Sequence, residues 1–207
     1  MSWTFPLDMP TAPAFTTTGW NPQVAAGVAQ SPFAYNTQVQ LHQGRMWMVQ
    51  CQLPVMRRAN AEKWITWRLK LDGPYGSFLL GDQDAREPRG NPLGAPVVNG
   101  GGQTGQTLHV RGFTPGAGRL LAGDYIQLGS GEATRLHKVL DDVDVLGSPS
   151  GEAAVSIWPQ LREPPADGAV ITTSNCKGTF MLASSSMPWS TDALSNYEIS
   201  FDCYEKL

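Results

Sequence analysis

The sequence predicts a mainly β protein with one helix: a β-barrel or β-sandwich domain accompanied by a second, small β-barrel or β-sandwich module. Three observations predict it. Short apolar segments with period-two alternation recur at hairpin spacing between clusters of turn residues. Only one segment carries the 3.6-residue period of an amphipathic helix. The 207 residues include 22 Gly and 16 Pro, enough to punctuate the chain into many turns and long loops. The length suits one or two domains that bury their own core without disulfide or metal staples.

Residues 1–34 are rich in Pro, Thr, Ala and Gly and nearly free of charge. They read as an extended N-terminal arm. Its isolated aromatics Trp3, Phe5, Phe15, Trp20 and Phe33, with Tyr35 just beyond, are the candidate interface residues, because an apolar arm that charge does not solubilise needs a surface to dock on. That surface belongs either to its own domain or to a neighbouring subunit. From Asn36 the chain turns strand-like, with Val39 and Leu41 alternating with Gln38, Gln40 and His42. Gln43-Gly44 is the expected turn into 45–52, where Trp47, Val49 and Cys51 share a face, so 36–52 reads as a β-hairpin.

Leu53-Pro54 ends that strand, and Asn60 is the expected N-cap of a helix over 61–71. Trp64, Trp67, Arg68 and Leu71 follow i, i+3, i+4, i+7 spacing, and Ile65 and Leu69 widen the stripe. Gly73-Pro74-Tyr75-Gly76 is a tight turn, and 77–81 carries Phe78 and Leu80 into a short strand. Residues 82–107 are dense in Gly, Pro, Asn and Asp and read as a loop at a domain boundary. Beyond it, short strands are expected at 107–113, 124–128, 134–140, 153–158 and 170–172, the pattern of a small barrel or sandwich. Two more follow at 178–183 and 196–204, the second with Tyr197, Ile199, Phe201 and Cys203 in alternation. The last strand is expected to close the first domain. The division is then an arm at 1–34, a β domain from 35–90 with 174–207, and an inserted or peripheral all-β module at 91–173.

Charged residues make up 16% of the chain and the net charge is -3, against about 25% charged residues in an ordinary soluble domain. There is no basic field for phosphates, so nucleic-acid binding is not expected. The low charge and seven Trp suit subunit interfaces, whose cores are poor in charge and rich in aromatics. The first residues lack a basic stretch followed by an apolar one, and no apolar run approaches the ~20 residues that span a bilayer. Synthesis and folding in the cytoplasm without membrane insertion are the expectation. Cys51, Cys176 and Cys203 are far apart and outside any CxxC pair, which suits reduced core residues.

The search for chemistry finds no catalytic residue, cofactor site or metal site. Residues 100–107, Gly-Gly-Gly-Gln-Thr-Gly-Gln-Thr, approach a phosphate-binding loop. Gln106 stands where the motif needs Lys, and Thr107-Leu108-His109-Val110 favours a strand where the motif needs a helix. Asp82 and Asp84 lack the offsets of a calcium loop, and Asp141, Asp142 and Asp144 read as a solvent face. His42, His109 and His137 fall on three different expected strands, away from metal-ligand spacing. No serine sits in a GxSxG elbow.

The order of segments resembles a known family. Residues 44–54, Gly-Arg-Met-Trp-Met-Val-Gln-Cys-Gln-Leu-Pro, are followed by the helix with Trp64 and by 71–81, Leu-Asp-Gly-Pro-Tyr-Gly-Ser-Phe-Leu-Leu-Gly. This succession is similar to tail-tip proteins of long-tailed bacteriophages. The downstream stretches 96–100, 121–129 and 159–162 are similar to the second β module of the same proteins. The resemblance implies a distal tail or baseplate structural protein: a non-enzymatic, ring-forming domain of tail-tube-like fold that carries a peripheral β module. It implies a homo-oligomer, a hexameric ring, joining the tail tube protein to the baseplate hub or other tail-tip proteins within the virion. The alternative expectation is a receptor- or glycan-binding module on the virion surface, with its aromatics as a stacking platform.

Overall fold

A computed structural model of the chain describes residues 3–145, 148 and 150–207, with Asp144 described by its backbone alone. In chain order the elements are β1 (Thr17–Gln30), β2 (Thr37–Gln52), β3 (Met56–Arg57), α1 (Arg58–Leu71), β4 (Phe78–Leu80), β5 (Gly94–Val98), β6 (Gly105–Phe113), β7 (Arg119–Leu120) and β8 (Tyr125–Leu128). They continue with β9 (Arg135–Val139), β10 (Val143–Asp144), β11 (Ala153–Leu161), β12 (Gly178–Leu182), β13 (Ser190–Thr191), β14 (Asn196–Glu198) and β15 (Ser200–Glu205). The fold is mainly β with one helix, as the periodicities predict.

One five-stranded antiparallel sheet runs in the order β1-β2-β15-β12-β4. Trp47, Val49 and Cys51 point from β2 into a core shared with Trp64, Trp67 and Leu71 of α1, Phe78 and Leu80 of β4, Phe180 of β12 and Cys203 of β15. Of the predicted helical stripe Trp64, Ile65, Trp67, Arg68 and Leu71 are buried and Leu69 is exposed; the strand expected at 196–204 is divided into β14, which pairs with β3, and β15, which pairs with β2 and sets Cys203 opposite Val49. The helix begins earlier than expected. Arg57 is its N-cap, without a side-chain cap, and Asn60 lies in the first turn, where its Oδ1 accepts a hydrogen bond from Lys63 Nζ at 3.1 Å.

The second sheet runs β5-β6-β11-β9-β8 around its own core, which includes Val98, Leu108, Val110, Ile126, Val139, Val155 and Ile157. Its two edges are joined by one segment. Val170 bridges to Val97 on β5 and Thr172 bridges to Gln127 on β8, with Gln127 and Thr172 exchanging N–H···O bonds of 2.8 and 3.0 Å. Closing a small barrel in this way removes both free edges, the usual route by which β proteins avoid edge pairing. The expected strand at 170–172 is therefore a pair of single bridges. Asp124, buried just before β8, accepts hydrogen bonds from the N–H groups of Arg89, Gly90 and Leu121 at 2.7 to 3.0 Å, so these backbone donors satisfy a buried polar group and tie down the entering loop.

Three expectations are corrected. Residues 17–30 are not an extended arm: they form β1, paired with β2 from Thr17↔Gln52 to Gln30↔Thr37. Gln43-Gly44 is not a turn, because β2 runs unbroken through it and the reversal lies at 31–36, the register shifting between Val24 and Ala26 instead. The stretch 82–107 is not all loop, since 94–98 is a strand and the glycine-rich run is the turn between β5 and β6. Gln103 holds that turn, its Nε2 donating to the carbonyls of Asn99, Gly100 and His109 while its Oε1 accepts from His109 N–H. Propensity failed at β1 for a physical reason. Pro22 and two glycines argue against a strand, but β1 is a sheet edge, where a residue without an N–H forfeits no ladder bond.

Candidate assembly surface

The alternation on β2 does not stop where the core stops. Cα partners in an antiparallel pair share a face, so Trp20, Pro22 and Val24 on β1 lie with Val49, Trp47 and Arg45 on β2. The same row continues as Ala26 beside Leu41 and Val28 beside Val39. Inside the domain this face is covered: Trp20 meets Trp47 edge-on at 5.5 Å and Phe180 at 6.0 Å. Outside it nothing covers it. Residues 24–44 project as a two-stranded hairpin that is exposed throughout except at Ser31, Val28 at 65% and Val39 at 60%. At ~3.4 Å per residue the free part reaches roughly 20 Å from the sheet.

The tip is tightly built. Ser31 N–H donates to Asn36 O at 2.9 Å and Tyr35 N–H to Ser31 O at 3.0 Å, while the Ser31 hydroxyl accepts from Phe33 and Ala34 N–H. Phe33 is 95% exposed and Tyr35 is 75% exposed. Tyr35 adopts φ 54, a left-handed conformation that costs a non-glycine residue about 1–2 kcal/mol. A turn selected only for turning would place Gly or Asn there; this one presents an aromatic ring to solvent.

Charge is missing from this element. Between Asp8 and Arg45 no Asp, Glu, Lys or Arg occurs. Isolated two-stranded hairpins are marginal in water, and long, flat, apolar edge strands usually carry charge to prevent association. This hairpin has neither support nor deterrent in the single chain, so its exposed face is suited to being covered by another surface.

The six aromatics singled out by sequence divide into two groups. Trp3 lies against Lys70, whose Nζ is 4.8 Å from its ring, and Phe5 packs edge-on against Tyr75 at 5.9 Å. Phe15 rests on Trp64 and Phe201, and Trp20 on Trp47 and Phe180. Phe5, Phe15 and Trp20 thus pack on their own domain, and Trp3 remains 44% exposed. Phe33 and Tyr35 are brought together at the hairpin tip and face solvent. Val24, Val28, Val39 and Leu41 were missed as surface residues, although the alternation Val24-x-Ala26-x-Val28 mirrored by Val39-x-Leu41 carries the signal.

The hairpin stands on a rigid base where the two sheets meet. Trp47 Nε1 donates to Leu136 O of the barrel at 3.0 Å, and its ring meets Trp158 at 4.4 Å. Arg162, just after β11, binds Glu205 at 3.1 Å and the carbonyl of Arg45, and Gln160 donates to Gln43 O. Burial raises the Glu205 carboxyl above its ordinary range, against the pull of Arg162 and Trp47 N–H. Buried beside them, His137 is pushed down to about 4 by desolvation, with Arg162 and Arg135 adding repulsion, while a 2.7 Å contact between its Nδ1 and Pro159 O opposes the shift.

A base whose folded-state pKa is lowered contributes stability that is complete above its unfolded value and is lost as pH falls. Neutral His137 should therefore cost the fold about 3 kcal/mol between pH 6.5 and 4. Glu205 acts in the opposite sense, since its raised carboxyl gains a proton more readily in the folded chain, and offsets part of that loss. Urea midpoints measured across this range should fall more steeply for the wild type than for His137→Gln; parallel slopes would contradict the assignment.

Chemistry has little purchase elsewhere. All three cysteines are buried and free, and burial pushes the Cys176 thiol up to about 12 and the Cys203 thiol well above its usual value, which leaves both unreactive. Among the described residues no group of three or more His, Cys, Asp or Glu side chains is placed to hold a metal ion, and no helix is long and apolar enough to cross a membrane. No protein-family model matches the chain, and a search of curated proteins finds no match.

Proposed function

We propose that the chain is a non-enzymatic structural subunit of a phage tail tip, a distal-tail or baseplate ring protein that joins the tail tube to the hub. The observation that carries this reading is the projecting, charge-free hairpin at 24–44 with its uncovered apolar face. In a monomer such an element exposes apolar surface without compensation; in a closed assembly it is contact surface. The remainder of the molecule supports the same reading. The barrel seals its own edges, the two sheets are clamped by Trp47 and Arg162, and these features suit a fixed spacer better than a hinged or catalytic device. The resemblance of 44–54 and 71–81 to tail-tip proteins supplies the biological setting, and self-association into a ring supplies the mechanism. Electron microscopy of the purified protein at high concentration tests it. Annular particles with a central opening are expected, and a field of isolated monomers that also fail to bind tail-tube or hub proteins would contradict it.

A further inference from the structure

We infer that the cleft at the foot of the hairpin is a carboxylate-binding site, filled in the assembly by an Asp or Glu side chain of the adjacent copy that pairs with Arg45. This inference rests on the ring-subunit reading above and adds the chemistry of the surface that covers the hairpin.

The cleft lies where the hairpin leaves the body of the molecule. It measures about 530 Å³, and its lining includes Val24, Gly44 and Arg45 from the hairpin foot and Gln160 and Arg162 from the end of β11 and just beyond. Arg45 is half-buried. Its Cα partner on the β1-β2 ladder is Val24, so it stands at the inner end of the row that runs out through Ala26 and Leu41 to Val28 and Val39. The uncovered apolar face thus ends on a guanidinium.

That guanidinium has no counter-charge. Its Nη1 is shut off from water and has no hydrogen-bond partner among the described residues, and no carboxylate among them pairs with it. The acids on the neighbouring elements are engaged elsewhere. Glu205 accepts from Arg162 at 3.1 Å and from Trp47 N–H at 3.2 Å, and Glu163 lies 3.9 Å from Arg135. Nor do the strands that frame the cleft supply an acid, since no Asp or Glu occurs between Asp8 and Glu62 or within β11. Withdrawing a cation from water without a partner is costly, and a carboxylate brought into the cleft from outside removes that cost.

The guanidinium fork accepts a carboxylate or a phosphate in two parallel hydrogen bonds. The adjoining row decides between them. Whatever covers Val39 and Leu41 must be apolar, and a polypeptide that supplies such a cover carries its negative charge as carboxylate. A second copy of the chain is rich in that group, with 18 Asp and Glu against 15 Lys and Arg. Arginine is also a frequent energetic anchor of interfaces, its stem packed on apolar surface and its charge met by the partner.

Arg45→Met tests this, because methionine keeps an apolar stem and removes the charge. Sedimentation equilibrium follows assembly, and the thermal midpoint of dilute protein follows folding. The variant should melt within about two degrees of the wild type or above it, since an uncompensated cation does not stabilise the single chain. Its self-association should fall roughly thirtyfold or more. Succinate probes the cleft directly: at matched ionic strength it should raise the midpoint of the wild type by a few degrees more than sodium chloride does, and leave Arg45→Met unmoved. Assembly of Arg45→Met like the wild type would overturn the inference, and so would a variant that melts far below the wild type, which would make Arg45 a structural residue. No shift with succinate would overturn the carboxylate chemistry. A wild type that stays monomeric at every concentration would remove the ring reading and the adjacent copy as donor, while a succinate shift confined to the wild type would still establish the site.

Discussion

Replacing Trp47 with alanine is expected to lower the melting temperature by roughly 10–20 °C. The indole is buried, touches Trp20, Tyr125 and Trp158, and donates to Leu136 O across the seam between the two sheets. Truncating a buried Trp costs about 3–5 kcal/mol, and the orphaned Leu136 carbonyl adds about 1 more. In a chain of this length each kcal/mol moves the midpoint by about 2–4 °C. Trp47→Phe separates the contributions: it keeps most of the packing, gives up the hydrogen bond, and should lose only a third to a half as much. Exposed Trp189→Ala serves as the contrast and should change the midpoint by a degree or two. Equal losses for Trp47→Ala and Trp189→Ala would contradict the clamp at the seam.

The second large effect is on assembly rather than folding. Replacing 25–44 with an Asn-Gly turn joins Val24 to Arg45, which are Cα partners in the ladder, by the two-residue connection that antiparallel strands favour. The deleted residues are exposed and pack against no core, and their ordering carries a backbone entropy cost of about 1–2 kcal/mol per residue that offsets their ladder bonds. The shortened protein should melt within a few degrees of the wild type. Its self-association should be abolished. A folded but still oligomeric deletion would show that the contacts lie elsewhere.

What sequence made legible follows the strength of local signals. The α1 stripe and the Trp47-Val49-Cys51 face carry a clear period and a buried face and are found where expected, apart from exposed Leu69; the one strand expected at 196–204 is divided at Ile199 into β14 and β15, which belong to different sheets. The start of α1 was misplaced because Arg57 caps it without a side-chain bond, so no Ser, Asp or Asn marks the boundary. β1 was hidden by Pro22 and by the lack of charge, which together look like a linker when the edge position is unknown. The bridge segment 169–172 was only half visible: its alternation marks a strand, but its role in closing the barrel depends on partners more than forty residues away in the chain. Composition singles out the uncharged N-terminal region and six aromatics in and beside it, and the structure separates those six by exposure. Phe5, Phe15 and Trp20 look exposed in a list of residues, yet the core reaches them, while Trp3 stays 44% exposed beside Lys70. Phe33 and Tyr35 are beyond its reach because 24–44 leaves the sheet.

If the uncovered hairpin is built for contact between copies, assembly depends on it. Sedimentation velocity of the wild-type chain beside the 25–44 deletion, over a wide range of concentration, tests it most directly. A discrete, closed oligomer for the wild type and a monomer for the deletion are the predicted results. A wild type that remains monomeric at the highest concentration, with the same sedimentation behaviour as the deletion apart from its extra mass, would contradict it.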